Sequence, residues 1–119
     1  MNGKILLGDE AILSCPKGTV FDYVNLNDYS NIIEWNYSVS GSFIAYNCKN
    51  LEYVSPECVF GGSVNVAETS IKEWRSDVHG DFISLGSKIE KIINCGIKGE
   101  IYANDNVEII REEKQSMRM

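Results

Sequence analysis

The chain repeats itself every 18 to 20 residues, and a chain built that way buries its apolar side chains by stacking each copy on the next. Ile12-Leu13-Ser14-Cys15 opens a series that continues with Ile32-Ile33-Glu34-Trp35, Leu51-Glu52-Tyr53-Val54 and Ile71-Lys72-Glu73-Trp74. Ile89-Glu90-Lys91-Ile92 and Val107-Glu108-Ile109-Ile110 close it. The first positions are 12, 32, 51, 71, 89 and 107, spaced by 20, 19, 20, 18 and 18. A second pattern falls between them: apolar, x, Gly, x, apolar, x, small or apolar. Its copies run from Val39 to Ala45, Phe60 to Val66, Val78 to Ser84 and Ile97 to Ala103. Val20 to Leu26 is an earlier copy with Asp22 for Gly, and Gly3-Lys4-Ile5-Leu6-Leu7 is a truncated one. Six units therefore cover the chain from residue 3 to residue 110.

Composition says which element stacks. The chain has 14 Ile and 9 Val against 6 Leu and 4 Ala. β-branched side chains lose rotamer freedom in helices and pack well on pleated surfaces. Ten Gly, with many Asn, Asp and Ser, supply turns. The expected fold is all-β: a single right-handed parallel β-solenoid of about six 18–20-residue coils. Residues 1–110 form that domain, and 111–119 a charged C-terminal cap or frayed tail. Alternation along each strand sets the inward columns. The Gly-containing strand points in Ile5, Val24, Phe43, Val64, Phe82 and Ile101, then Leu7, Leu26, Ala45, Val66, Ser84 and Ala103. The second strand adds a wall of Ile12, Ile32, Leu51, Ile71, Ile89 and Val107. Cys15, Trp35, Val54, Trp74, Ile92 and Ile110 make a third.

The unit from Val59 to Trp74, Val-Phe-Gly-Gly-Ser-Val-Asn-Val-Ala-Glu-Thr-Ser-Ile-Lys-Glu-Trp, resembles a short bacterial or phage leucine-rich-repeat-like unit. The resemblance implies a small polar residue after the strand that bonds to the turn backbone. Here that column is Tyr29, Cys48, Thr69, Ser87 and Asn106. Leucines are largely replaced by Ile, Val and Phe, so an open leucine-rich arc and a closed β-helix both fit.

Chemistry-bearing constellations are sparse. Cysteines 15, 48, 58 and 95 have no C-x-x-C spacing, and there is one histidine, so neither a metal nor a cofactor is expected. All four read as reduced structural thiols. His79 and Asp81 stand two residues apart on the Gly80 strand and could pair across one face, but a surface histidine is the plainer reading. No long insertion exists to carry a catalytic site, and the Gly61-Gly62 pair opens no helix, so an enzyme is not expected. No apolar run reaches the roughly 20 residues that span a membrane. Residues 1–8 hold one charge and a three-residue apolar run, unlike a secretory signal, so a cytoplasmic location is expected. A net charge of −6 argues against direct nucleic-acid binding.

The outward columns suggest a partner instead. The Gly-containing strand exposes Tyr23, Ile44, Tyr46, Ile83 and Tyr102 among short polar groups, with Ala67 and Leu85 also in an outward column, a mixture suited to protein binding. The second strand stacks Ile33, Glu52, Lys72, Glu90 and Glu108 beside Glu34, Tyr53, Glu73, Lys91 and Ile109. The expected function is non-enzymatic binding of another protein through these faces. The alternative is an acidic inhibitor that imitates a nucleic-acid backbone for a DNA- or RNA-processing enzyme, with Glu34, Glu52, Glu73, Glu90 and Glu108 as its stripe. The N-terminal strand edge, which is expected to have no cap of its own, also favours pairing into a homodimer.

Overall fold

The computed structural model describes residues 12–26, 30–93 and 96–110. Among the described residues fourteen short strands follow one another. They are β1 (Val20–Phe21), β2 (Val24–Asn25), β3 (Glu34–Trp35), β4 (Ser38–Val39), β5 (Phe43–Ile44), β6 (Tyr53–Val54) and β7 (Val59–Phe60). Then come β8 (Val64–Asn65), β9 (Glu73–Trp74), β10 (Asp77–Val78), β11 (Phe82–Ile83), β12 (Lys91–Ile93), β13 (Ile101–Tyr102) and β14 (Glu108–Ile110). Every pairing is parallel and joins a strand to its equivalent one coil away. The fold is an all-β solenoid of about five turns. A sixth turn, expected around Gly3–Leu7, lies outside the described residues, as do Tyr29, Cys95 and the tail from 111.

Each coil has three sides, each carrying a strand, where two strands per coil were expected. The first side stacks β1, β4, β7 and β10; the second stacks β2, β5, β8, β11 and β13. The third holds β3 and β6, then β9, β12 and β14. The Gly-containing segment does not run as one strand: it bends at its glycine and forms the first and second sides. The bend brings backbone onto backbone. A methyl group at Gly62 would sit 2.7 Å from the carbonyl carbon of Gly41, and one at Gly80 would sit 2.8 Å from that of Gly62. The N–H of Gly62 donates to Gly41 O at 2.9 Å, Gly80 to Gly62 O at 2.9 Å and Gly99 to Gly80 O at 3.0 Å. A stacked glycine corner is thus a ladder in its own right, and any side chain would force the coils apart.

Phe43, Val64 and Phe82 lie in one register column with Val24 and Ile101, as alternation predicts. Leu26, Ala45, Val66 and Ser84 are buried beside them, and Ile32, Leu51, Ile71 and Ile89 form the expected second wall. The first side adds a column: Phe21, Val39, Phe60, Val78 and Ile97 all point inward. In the first coil this displaces Val20, which is 57% exposed, because the chain is one residue shorter there and Phe21 takes the inner place. All three sides meet at the axis. Trp35 on the third side touches Phe21 on the first (5.8 Å between ring centroids) and Phe43 on the second (4.9 Å). Phe43 touches Phe60, Phe60 touches Trp74, and Trp74 touches Phe82 at 4.7 Å. Such pairs contribute roughly 0.5–1.5 kcal/mol each beyond burial. Both indoles are fully buried and satisfied: Trp35 Nε1 donates to Tyr37 O at 2.6 Å, and Trp74 Nε1 to Ser76 O at 2.9 Å.

The turns between second and third sides carry the polar column. Thr69 Oγ1 donates to Val66 O at 2.8 Å, and Ser87 Oγ accepts the Ile89 N–H at 3.2 Å. Cys48 Sγ approaches Leu26 O at 3.9 Å. Asn47, Glu68 and Gly86 occupy equivalent turn positions with φ of 64°, 60° and 77°. Asn and Gly accept this left-handed geometry readily, whereas Glu does not.

Candidate functional site

The second side presents the longest continuous ladder, and its outer column reads Asn25, Ile44, Asn65, Ile83 and Tyr102 in unbroken register. Ile44 and Ile83 are half-buried, and Tyr102 is 47% exposed at the last coil. Two residues further along each strand, Tyr46 is 53% exposed and Leu85 49%. Ala67, expected outside with them, is buried. It lies at the turn between those two larger neighbours, and its N–H is taken by Asn65 Oδ1 at 3.0 Å. Tyr23 is half-buried at the opposite flank. Four of the five residues expected on this face, with Leu85 added, form an apolar set in two groups, Ile44 and Tyr46 at β5 and Ile83, Leu85 and Tyr102 at the adjacent β11 and β13, with Asn65 and Ala67 at β8 between them. Leu85 belongs to the same alternation and was legible from it.

The third side orders its charges differently from the expected stripe. Glu34 faces Tyr53, and Glu73 faces Lys91. Lys91 in turn faces Glu108, not Ile109. Glu108 therefore leaves the Glu90 column: nine steps separate Phe82 from Lys91 but only seven separate Ile101 from Glu108, so the last turn is tighter. In the same register Ile109 and Ile110 face Ile92 and Ile93. A cation thus sits between carboxylates in the Glu73–Lys91–Glu108 column, and Arg75 Nε also pairs with Glu73 at 3.3 Å. All five glutamates are exposed. Pairs this exposed contribute little to folding.

The third side is also interrupted between β6 and β9. An open groove of about 550 Å³ runs along the fault, lined by Glu52, Tyr53, Pro56, Lys72, Arg75 and Glu90 among others. Ser76 Oγ bridges the gap at one end by donating to Ser55 O at 2.7 Å.

His79 is exposed, and Gly80 turns the corner between it and Asp81, so the two do not share a strand face. Asp81 serves the fold: its Oδ1 accepts the Glu100 N–H at 2.9 Å. Cys15, Cys48 and Cys58 form no disulfide; Cys48 and Cys58 are buried, and Cys15 is half-buried against the core. Burial, then the neighbouring Glu57 charge, pushes the Cys58 thiol up to about 11. Burial and the Cys15 charge also raise the Tyr37 phenol, whose OH donates to Cys15 O at 2.8 Å. Among the described residues no three His, Cys, Asp or Glu side chains group to hold a metal, and no helix is long and apolar enough to cross a membrane. The chain matches no family model, no curated protein and no solved structure.

Proposed function

We propose that the protein is a non-enzymatic binding module for another protein, and that the outer face of the second side is its contact surface. One observation carries this reading: five large apolar side chains, Ile44, Tyr46, Ile83, Leu85 and Tyr102, stay partly or largely open on one rigid ladder. Singly exposed apolar residues need no explanation, but groups of them on one ladder do. The interleaved Lys72 and Lys91 make the third side a weaker candidate for an acidic contact. The leucine-rich-repeat-like pattern agrees with a binding role by fold-level analogy alone. Reduced cysteines at 15, 48 and 58 are in keeping with a cytoplasmic setting.

The test is copurification from the source cell with quantitation of the bound protein. Replacing Ile44, Ile83 and Tyr102 together by Ser should release that protein while the circular dichroism spectrum is kept. Replacing Glu52, Glu73 and Glu90 together by Gln should leave it bound. The reverse pattern would move the contact to the third side and favour the acidic inhibitor.

A further inference from the structure

We infer, resting on the second side as the contact surface, that its ligand is a short segment of a partner chain with apolar side chains set between Lys or Arg residues. The segment lies in a trough between β5 and β11. Ile44 and Tyr46 form one ridge, and Ile83 and Leu85 form the equivalent ridge two coils away. Between them β8 offers only Asn65 and Ala67. Asn65 is folded back onto the Ala67 N–H, and Ala67 is buried, so both are short residues flanked by long ones. The ridges run along the strands and are two coil steps apart, about 10 Å. That is close to the spacing at which packed helices and sheets interdigitate; the gap is open at its Ile44–Ile83 end, over half-buried Asn65, and covered at its Tyr46–Leu85 end, where Ala67 is buried.

Area argues for a segment rather than a globular surface. Five strands are about 19 Å across and each exposed stretch is about 13 Å long, so the face covers on the order of 250 Å². Stable protein pairs bury about 800 Å² per partner.

Charge argues for a basic segment. Asp81 and Glu100 border the patch at the glycine corner, and Glu68 stands at the turn end of the trough. Lys49 beside that turn is paired with Glu68 at 3.7 Å, Lys88 follows the next coil's turn and Lys98 precedes Glu100, so the acidic excess lies at the corner, where Asp22 joins Asp81 and Glu100. A second copy of this chain would bring the same carboxylates against each other, which is unfavourable. A basic segment would meet them with opposite charge.

The experiment uses the full chain and two synthetic ten-residue peptides, read by fluorescence anisotropy at low and high salt. One alternates Leu and Phe with Ser between Lys-Arg ends; the other carries Glu in place of every Lys and Arg. The basic peptide should bind at least about tenfold tighter than the acidic one, a difference of roughly 1.4 kcal/mol, and should weaken at high salt. The Tyr46→Ser, Leu85→Ser double variant changes only exposed positions and should lose about tenfold in affinity for the basic peptide. Equal binding of both peptides, or binding that the double variant leaves intact, overturns the inference. So does concentration-dependent dimerisation, seen by sedimentation and abolished by the same variant. If neither peptide binds while Ile44, Ile83 and Tyr102 still hold the copurified protein, the ligand chemistry is wrong and the contact face stands. If those three do not hold it, the face itself falls.

Discussion

The second and third sides are built from the same five coils, yet the second is one ladder and the third is two. The difference lies in what leads into each. The second side is entered from the glycine corner, which spans four steps in every coil after the first: Val39 to Phe43, Phe60 to Val64, Val78 to Phe82 and Ile97 to Ile101. The third side is entered through turns of unequal length. Ten steps lead from Val24 to Glu34 and from Phe43 to Tyr53, but nine lead from Val64 to Glu73. The ladder breaks between β6 and β9, where that length changes and the longest exit follows β6; the further shortening to seven steps before β14 leaves β12 and β14 paired, so turn length alone does not open a ladder. The exit varies too: four steps from Trp35 to Val39, six from Val54 to Phe60, four from Trp74 to Val78. The longest exit, around Pro56, borders the fault. A corner of constant length transmits register from coil to coil, and corners of variable length let a ladder open. For the same reason the continuous side is the better platform for a partner.

If the axis holds the faulted side to the others, removing its central ring should have the largest effect. Trp74 is fully buried and joins Phe60 on the first side to Phe82 on the second. Trp74→Ala should cost about 3–5 kcal/mol, as large core truncations do. Urea unfolding followed by circular dichroism measures it. A loss below about 1 kcal/mol would mean that the third side is held by something other than its rings.

The next effect strikes the precise corner. Gly62→Ala puts a methyl group against the Gly41 carbonyl and Ser42 N, both backbone, at 2.8 and 2.9 Å. Backbone cannot rotate out of the way, so a cost of about 1–3 kcal/mol is expected. Pro56→Ala, at an exposed residue of the variable exit, should stay within about 0.5 kcal/mol. Equal costs for the two would erase the distinction between constant and variable corners.

Much of this was legible in the sequence, and the misses share one cause. Alternation along Phe43-Ile44-Ala45 and its equivalents places the second side's inner and outer columns without reference to anything else. Corners do not alternate. The glycine spacing reads equally well as a straight strand, so the first side and its buried Phe21–Ile97 column were hidden, and Ala67 was placed outside. A repeat period also averages over turns: positions 89 and 107 align as motifs, while the tighter final turn carries Glu108 across to Lys91. Trp35 and Trp74 were assigned to the interior because a bulky residue in an inward column has nowhere else to go, and both are fully buried.

Alkaline pH should sharpen the contrast in a third way. The variable exit tucks Cys58 inside, where its thiol is raised from 9.0 to about 11. A raised thiol means that the fold favours the protonated form. Its contribution is complete below pH 9 and is lost as pH climbs through about 11. Stability measured by urea titration should therefore fall over that window, and Cys58→Ala should flatten the slope below the point where Tyr37 begins to titrate. An unchanged slope would show that the thiol has water access and that the exit is looser than its burial indicates.

The smallest effect should be a gain, and it tests whether the second side's register depends on its turns. Glu68 adopts a φ of 60°, a left-handed geometry that costs a residue with a Cβ roughly 1–2 kcal/mol. Asn47 and Gly86 hold the same turn position with residue types that tolerate it. Two things oppose the strain: the Glu68 carboxylate reaches Lys49 at 3.7 Å, and its N–H donates to Leu85 O at 3.1 Å. The first is an exposed pair and contributes little; the second belongs to the backbone and survives substitution. Glu68→Gly should therefore stabilise the protein by about 0.5 kcal/mol, relief of strain exceeding the added freedom of the unfolded chain. Thermal unfolding at two salt concentrations separates the contributions, since only the ion pair is screened. A net loss of stability would mean that the Glu68–Lys49 pair ties neighbouring turns together, and that register on the second side is held at its turns as well as at its glycine corner.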